Sequence, residues 1–170
     1  MGFLDSGPPP IYVGFGSVPV LNQERITQLV IESLSKLGKR GILQIGRNGK
    51  SGQVLDYVFQ AGWVPHEWLI PKMAALVHHG GANTTANGLR SGLPSIIIPF
   101  AWDQPFWGYQ VYNLGVGPKP ILRKELTVSR LMNAMDKATS YSNMTIRASA
   151  IGKVIQNENG VERAVEVINF

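Results

Sequence analysis

Cysteine is absent from the 170 residues, and histidine occurs only three times. Structural disulfides, thiolate zinc sites, iron–sulfur clusters and cysteine nucleophiles are therefore excluded. The lack of cysteine fits a reducing compartment. Charge is scarce as well: 16% of residues are charged against 44% hydrophobic. That balance belongs to a globular domain and excludes a disordered or fibrous chain. The formal net charge is +5, yet no run of five or more basic residues occurs. Lys and Arg are scattered from Arg25 to Lys124, which reads as a mildly basic solvated surface with no nucleic-acid partner. Long apolar runs are missing too. The stretch Pro94 to Trp102 is broken by Ser95 and is too short to span a bilayer. The opening residues have neither the basic nor the apolar part of a secretory signal. Gly7 and the prolines 8 to 10 make residues 1–10 read as a linker, followed by one domain over residues 11–170.

Short β-rich runs alternate with helical periodicity. Strands are expected at Ile11 to Phe15, Arg40 to Ile45, Tyr57 to Gln60, Ala74 to His78 and Ser95 to Ile98, with a sixth within Gly115 to Ile121. A helix capped by Asn22 is expected to run to Leu37, with Ile26, Leu29, Val30, Leu34 and Leu37 on one face and Gly38 as its stop. Further helices are expected at His66 to Ile70, Thr84 to Arg90 (closed by Gly92), Phe106 to Leu114, Val128 to Thr139, Met144 to Gln156 and Val161 to Ile168. Residues 46–52 read as a polar loop. The alternation predicts an α/β fold: a Rossmann-like, three-layer parallel sheet with helices on both faces. In such sheets ligands bind beyond the carboxyl ends of the strands. Four loops fall on that rim: Gly16-Ser17, Gly62 to Pro65, His79 to Asn83, and Pro99 to Gln104.

Each loop has a plain and a functional reading. Gly14-Phe15-Gly16-Ser17-Val18-Pro19 opens like a dinucleotide fingerprint, but Pro19 stands in place of the third glycine, which counts against a redox Rossmann site. It is either a simple strand-to-helix turn or an open turn whose amides and Ser17 hydroxyl approach a phosphate. His78-His79-Gly80-Gly81-Ala82-Asn83-Thr84-Thr85 joins a strand to a helix. Its glycines allow close backbone approach, the helix start offers N–H groups, and His79 and the threonines add donors; together they suit a diphosphate. A metal reading is weak, because adjacent strand residues point to opposite faces and His66 is the one further histidine. In Gly62-Trp63-Val64-Pro65-His66 the Trp could stack on a base and Val64 read its edge, or the Trp could simply pack. In Asp103-Gln104-Pro105-Phe106-Trp107 the first two residues could hold sugar hydroxyls, or Asp103 could cap a helix. Phe106 and Trp107 are either core or an apolar wall under an acceptor.

The order and spacing of these motifs resemble the donor-binding signature of the UDP-glycosyltransferase superfamily: Trp-x-Pro-Gln/His, then His-x-Gly-x-Asn/Gly-Ser/Thr, then Asp-Gln. The stretches YVGFGS and VPHEWLIPKMAALVHHGGANTTANGLRSGLPSIIIPFAWDQPFWG are most similar to the sterol and lipid glucosyltransferases, and the resemblance runs from about Pro9 to Ala138. It implies the C-terminal half of a GT-B enzyme. Trp63 would stack on uracil, Val64 would bond it through the backbone, and His66 would lie near the ribose. Ser17, His79, Gly80, Gly81, Asn83 and Thr84 would surround the diphosphate, and Asp103 and Gln104 would hold the sugar. Asn87 departs from the ribose-binding glutamate of the plant small-molecule enzymes, and Asn83 from the usual glycine of the sterol enzymes. A UDP-sugar would be co-substrate, with no metal and no other cofactor. The resemblance further implies a sterol or lipid acceptor, a general base in an N-terminal domain outside this sequence, and no turnover by the chain alone. It places the protein in the cytoplasm or at the periphery of a membrane. The alternatives are a donor domain for natural-product transfer from another sugar nucleotide, and a non-catalytic subunit that needs a partner chain. Val161, Val165 and Ile168 form a stripe that either docks on the N-terminal domain or packs locally.

Overall fold

A computed structural model describes residues 2–16, 23–44, 52–140, 143–158 and 160–168. Six strands form one sheet: β1 Ile11–Gly14, β2 Gly41–Gln44, β3 Gly52–Leu55, β4 Val58–Ala61, β5 Ala75–His78 and β6 Ser95–Ile97. Their order across the sheet is β3-β4-β2-β1-β5-β6. All neighbouring pairs are parallel except β3 with β4, which is antiparallel. The helices are α1 Gly2–Asp5, α2 Gln23–Leu37, α3 His66–Leu69, α4 Ala82–Arg90, α5 Gln104–Asn113, α6 Val128–Thr139, α7 Asn143–Asn157 and α8 Gly160–Ile168.

Alternation along each strand splits the core in two. Ile11, Val13, Leu43, Ala75, Val77 and Ile96 meet Ile26, Val30 and Leu34 of α2, and Leu131 and Met135 of α6. On the opposite face Tyr12, Ile42 and Leu76 meet Leu69 of α3 with Ile70 and Met73. Near β6 that face continues with Ile97, Val111 of α5 and Ala148 of α7. Three layers with helices on both faces result, as the patterning predicts. The expected face of α2 is inward: Ile26, Val30 and Leu34 are buried, and Leu29 and Leu37 pack against them. Gly38, at φ 60°, ends that helix, and the Lys39 N–H then bonds the Leu34 carbonyl at 3.0 Å, closing the C-terminal turn. The Asn22 cap and the residues 45–51 lie outside the described residues.

Three expectations are corrected. The sheet has an antiparallel edge strand, β3, where no strand is expected. Its bonding to β4 shifts register between Gln53 and Leu55. The expected sixth strand within Gly115 to Ile121 is irregular, because Pro118 and Pro120 lack N–H groups and cannot sustain a ladder. It still touches the β6 edge twice: the Ser95 N–H bonds the Val116 carbonyl at 3.1 Å, and the Ile121 N–H bonds the Ile97 carbonyl at 2.9 Å. Helices α4 and α5 start two residues earlier than their periodicity suggests. Residues 2–8, within the expected linker, rest on the domain: the Phe3 ring lies 5.5 Å from Phe59, the Arg40 guanidinium sits 4.2 Å over Phe3, and Arg40 donates to the Pro8 carbonyl at 2.9 Å. At the other end Val165 and Ile168 of α8 are exposed, while the Val161 side chain lies outside the description.

Candidate donor-binding rim

Because β1, β2, β4, β5 and β6 are parallel, their carboxyl ends form one rim. His79 stands at its centre, 8% exposed, at the end of β5. Its ring is held between two glycines. A Cβ added at Gly16 would lie 2.9 Å from His79 Cε1, and one added at Gly81 would lie 2.5 Å from Nε2. Glycine at both positions is thus a packing requirement. Burial lowers the His79 pKa. The Gly14 backbone and the Asp103 carboxylate oppose that shift, and His66 adds to it. His79 is therefore neutral at pH 7, yet an arriving anion would favour its protonation.

His78 does a different task. It is fully buried, and its Nδ1 accepts the Gly80 N–H at 3.1 Å. The proton is thereby placed on Nε2, which has no partner among the described residues. Burial, followed by the neighbouring His79 and His66, lowers its pKa to about 3. The two adjacent histidines are thus not a ligand pair: the rings are 6.3 Å apart at 84°, and one Nδ1 is already occupied. Gly80, at φ 89°, turns the chain where a Cβ would meet Ile97 at 2.7 Å and the Gln104 carbonyl at 2.9 Å. The β5 and β6 loops therefore touch.

Helix α4 begins at this turn with Gly81 as N-cap and no side-chain cap. Its first amides are left for another acceptor. Asn83 is exposed there, and Thr84 is 9% exposed. On the next loop Gln104 is 2% exposed, and its Oε1 accepts the Phe100 and Ala101 N–H groups at 2.7 and 3.1 Å. Its carbonyl end holds the loop, leaving its amide N–H groups for a ligand. Asp103 does not cap α5. Its Oδ2 accepts the Trp107 indole N–H at 2.8 Å. Between β6 and α5 Trp102 takes a left-handed backbone, φ 54°, and is 79% exposed. Such strain in a bulky residue marks functional surfaces. Reading the motif as Asp-Gln overlooks this residue, although an indole just before the pair is the signal.

On the β4 loop Trp63 is 68% exposed, whereas Val64 packs its side chain on the core, which leaves its backbone at the turn. His66 opens α3 and bonds Gln44 and Tyr12. Burial lowers its pKa. Ser17 lies outside the described residues. Among those described, no group of three or more His, Asp or Glu side chains is arranged to hold a metal ion. The rim thus brings together an uncapped helix start, a histidine between glycines, an exposed Trp and an Asp-Gln pair. That set can bind a polyanion carrying both a flat ring and hydroxyls.

Solved glycosyltransferases share the whole fold. The glycotransferase of kitacinnamycin superposes with a TM-score of 0.84 over 96% of this chain and 43% of that one, at 27% identity. CalG4, the calicheamicin glycosyltransferase, gives 0.82 over 95% of this chain and 41% of that one, at 18% identity, a likeness of fold alone. Fold and rim together define a glycosyltransferase domain of Rossmann-like architecture. By sequence, residues 28–167 match the model of the erythromycin biosynthesis protein CIII-like, C-terminal domain, and the chain belongs to that family. It is 40% identical over 166 residues to sterol 3-beta-glucosyltransferase UGT80A2 of Arabidopsis thaliana, covering 96% of this chain and 26% of the relative. It is also 40% identical over 167 residues to the sterol 3-beta-glucosyltransferase of Aspergillus clavatus, covering 93% of this chain and 12% of the relative. The chain therefore spans a minor part of each curated relative's length.

Proposed function

We propose that this domain binds a uridine diphosphate sugar, glucose foremost, as the donor half of an inverting transferase that glycosylates a sterol or other lipid hydroxyl. The uncapped start of α4, with His79 wedged between Gly16 and Gly81, carries this reading. The diphosphate accepts hydrogen bonds from the α4 amides and from His79, and Trp63 stacks on the base. Asp103 and the free amide of Gln104 bond the sugar. The sterol glucosyltransferase relatives support glucose and a sterol. In the transfer an acceptor oxygen bonds to the anomeric carbon as the bond to the β-phosphate oxygen breaks. The electron pair leaves on the diphosphate, where the helix start and His79 stabilise it. The acceptor's proton goes to a base supplied by another domain, so the chain alone binds donor without turnover.

Calorimetry with UDP tests the site. Trp63→Ala and His79→Ala are each expected to weaken binding by about 1–3 kcal/mol, the scale of a lost stack or charge-assisted bond. Unchanged affinity in both folded variants would sink the assignment. Titration with UDP-glucose against dTDP-sugars separates this reading from natural-product transfer. Steady turnover by the purified chain would overturn the claim that its base lies elsewhere.

A further inference from the structure

Beneath the Trp63 loop three polar side chains meet on the face of the sheet away from α2 and α6. Tyr12 of β1 is 1% exposed, and its hydroxyl donates to Oε1 of Gln44, on β2, at 2.5 Å. Burial raises the Tyr12 pKa, so the phenol keeps its proton. Gln44 Nε2 points to the Gly62 carbonyl at 3.4 Å, which orients the amide and leaves Oε1 facing Tyr12 and His66. His66 Nε2 lies 3.0 Å from Gln44 Oε1 and 3.0 Å from the Tyr12 oxygen. Both oxygens are acceptors toward it, the tyrosine's own proton being committed to Gln44. Nε2 must therefore carry the ring proton. The ring is neutral, because burial lowers its pKa. Nδ1 is then bare, and it has no partner among the described residues.

A bare Nδ1 repels phosphate oxygens and accepts from O–H groups. It sits three residues after Trp63, on the turn that Gln44 holds at Gly62. We infer that Gln44 is a positioning residue that locks His66 as the Nε2–H tautomer, so that Nδ1 accepts a ribose hydroxyl of the donor and disfavours the deoxyribose analogue. The inference rests on the donor-binding reading above.

Tyr12 and Gln44 are not equivalent in this cluster. Removing the Gln44 acceptor frees the Tyr12 proton to turn onto His66 Nε2 and drives the ring proton to Nδ1. Removing the Tyr12 hydroxyl leaves Gln44 in place and the tautomer unchanged. Nitrogen chemical shifts of 15N-histidine-labelled chain read this directly, since there are only three histidines to assign. Wild type and Tyr12→Phe are expected to show a bare Nδ1 at His66, and Gln44→Leu a bare Nε2. In calorimetry wild type is expected to bind UDP about 5- to 10-fold more tightly than 2′-deoxy- or 3′-deoxy-UDP, the weight of one hydrogen bond to a neutral acceptor. That ratio is expected to persist in Tyr12→Phe and to fall to about one in Gln44→Leu. Should Gln44→Leu not fold, Gln44→Met serves in its place, and the wild-type tautomer remains decisive by itself. A protonated Nδ1 in wild type, or a hydroxyl preference that survives the tautomer change, would overturn the inference. Equal binding of UDP and both deoxy analogues by wild type would overturn it while leaving donor binding standing. No UDP binding at all would remove the donor reading and this inference with it, whatever the tautomer.

Discussion

Helix α6 begins with Thr127, whose hydroxyl accepts the Arg130 N–H at 3.3 Å, whereas α4 begins with Gly81 and has no side-chain cap. The α5 start repeats the contrast, since Asp103, a good capping residue, gives its carboxylate to Trp107 instead. A cap contributes about 1 kcal/mol. It is present where α6 serves only packing and is missing at the α4 and α5 starts on the rim. There the amides stay open, and the order comes from His78 gripping the Gly80 N–H from below.

The largest expected effect tests that grip. His78 has a folded pKa of about 3 against an ordinary value of 6.5. The unfolded chain therefore takes up a proton that the folded chain refuses, so stability is complete above pH 6.5 and declines as pH falls toward 3. The loss is on the order of 5 kcal/mol across that window. Urea unfolding at stepped pH measures it. His78→Asn is expected to flatten the decline, and an unchanged slope would refute the role given to His78. Next comes Gly81→Ser, which caps α4 but drives a Cβ into His79. It is expected to weaken UDP by about 1–3 kcal/mol while changing stability less. Equal UDP binding would make the missing cap incidental. Thr127→Ala is the mirror experiment: a loss of about 1 kcal/mol in denaturant unfolding, with UDP affinity unchanged.

The smallest effect is proton linkage. His79 is neutral before binding, and a diphosphate favours its cation. UDP affinity should therefore rise as pH falls from 8 to 6, by no more than about 1 kcal/mol. Asp103 and the Gly14 backbone assist that protonation, and His66 opposes it. Calorimetry in buffers of different ionisation enthalpy would register proton uptake, which His79→Gln should abolish.

Most of the fold was legible because buried parallel strands are continuous apolar runs and α2 has a clear inward stripe. Strand β3 was not, since Gly52–Leu55 is an edge strand with no buried face to impose a pattern. The false strand at 115–121 had the right apolar residues, but its two prolines leave it with scattered bonds to β6. The rim loops were legible through their glycines, histidines and Trp63. Trp102 was harder, because no residue-type rule assigns a left-handed backbone to tryptophan. The Tyr12, Gln44 and His66 cluster joins residues 22 to 54 positions apart and exists only through strand order. Likewise, the double duty of Gln104, one end on the loop and one end free, exists only once the loop has folded.

That grip by Gln104 has a kinetic consequence. With Phe100 and Ala101 tied to one buried amide, the strained Trp102 backbone is set before any sugar arrives. Ordering this segment then adds nothing to the entropy lost on encounter, and capture needs no closing motion of this loop. Donor should associate with the β6 side of the rim as a rigid shelf, in a single step.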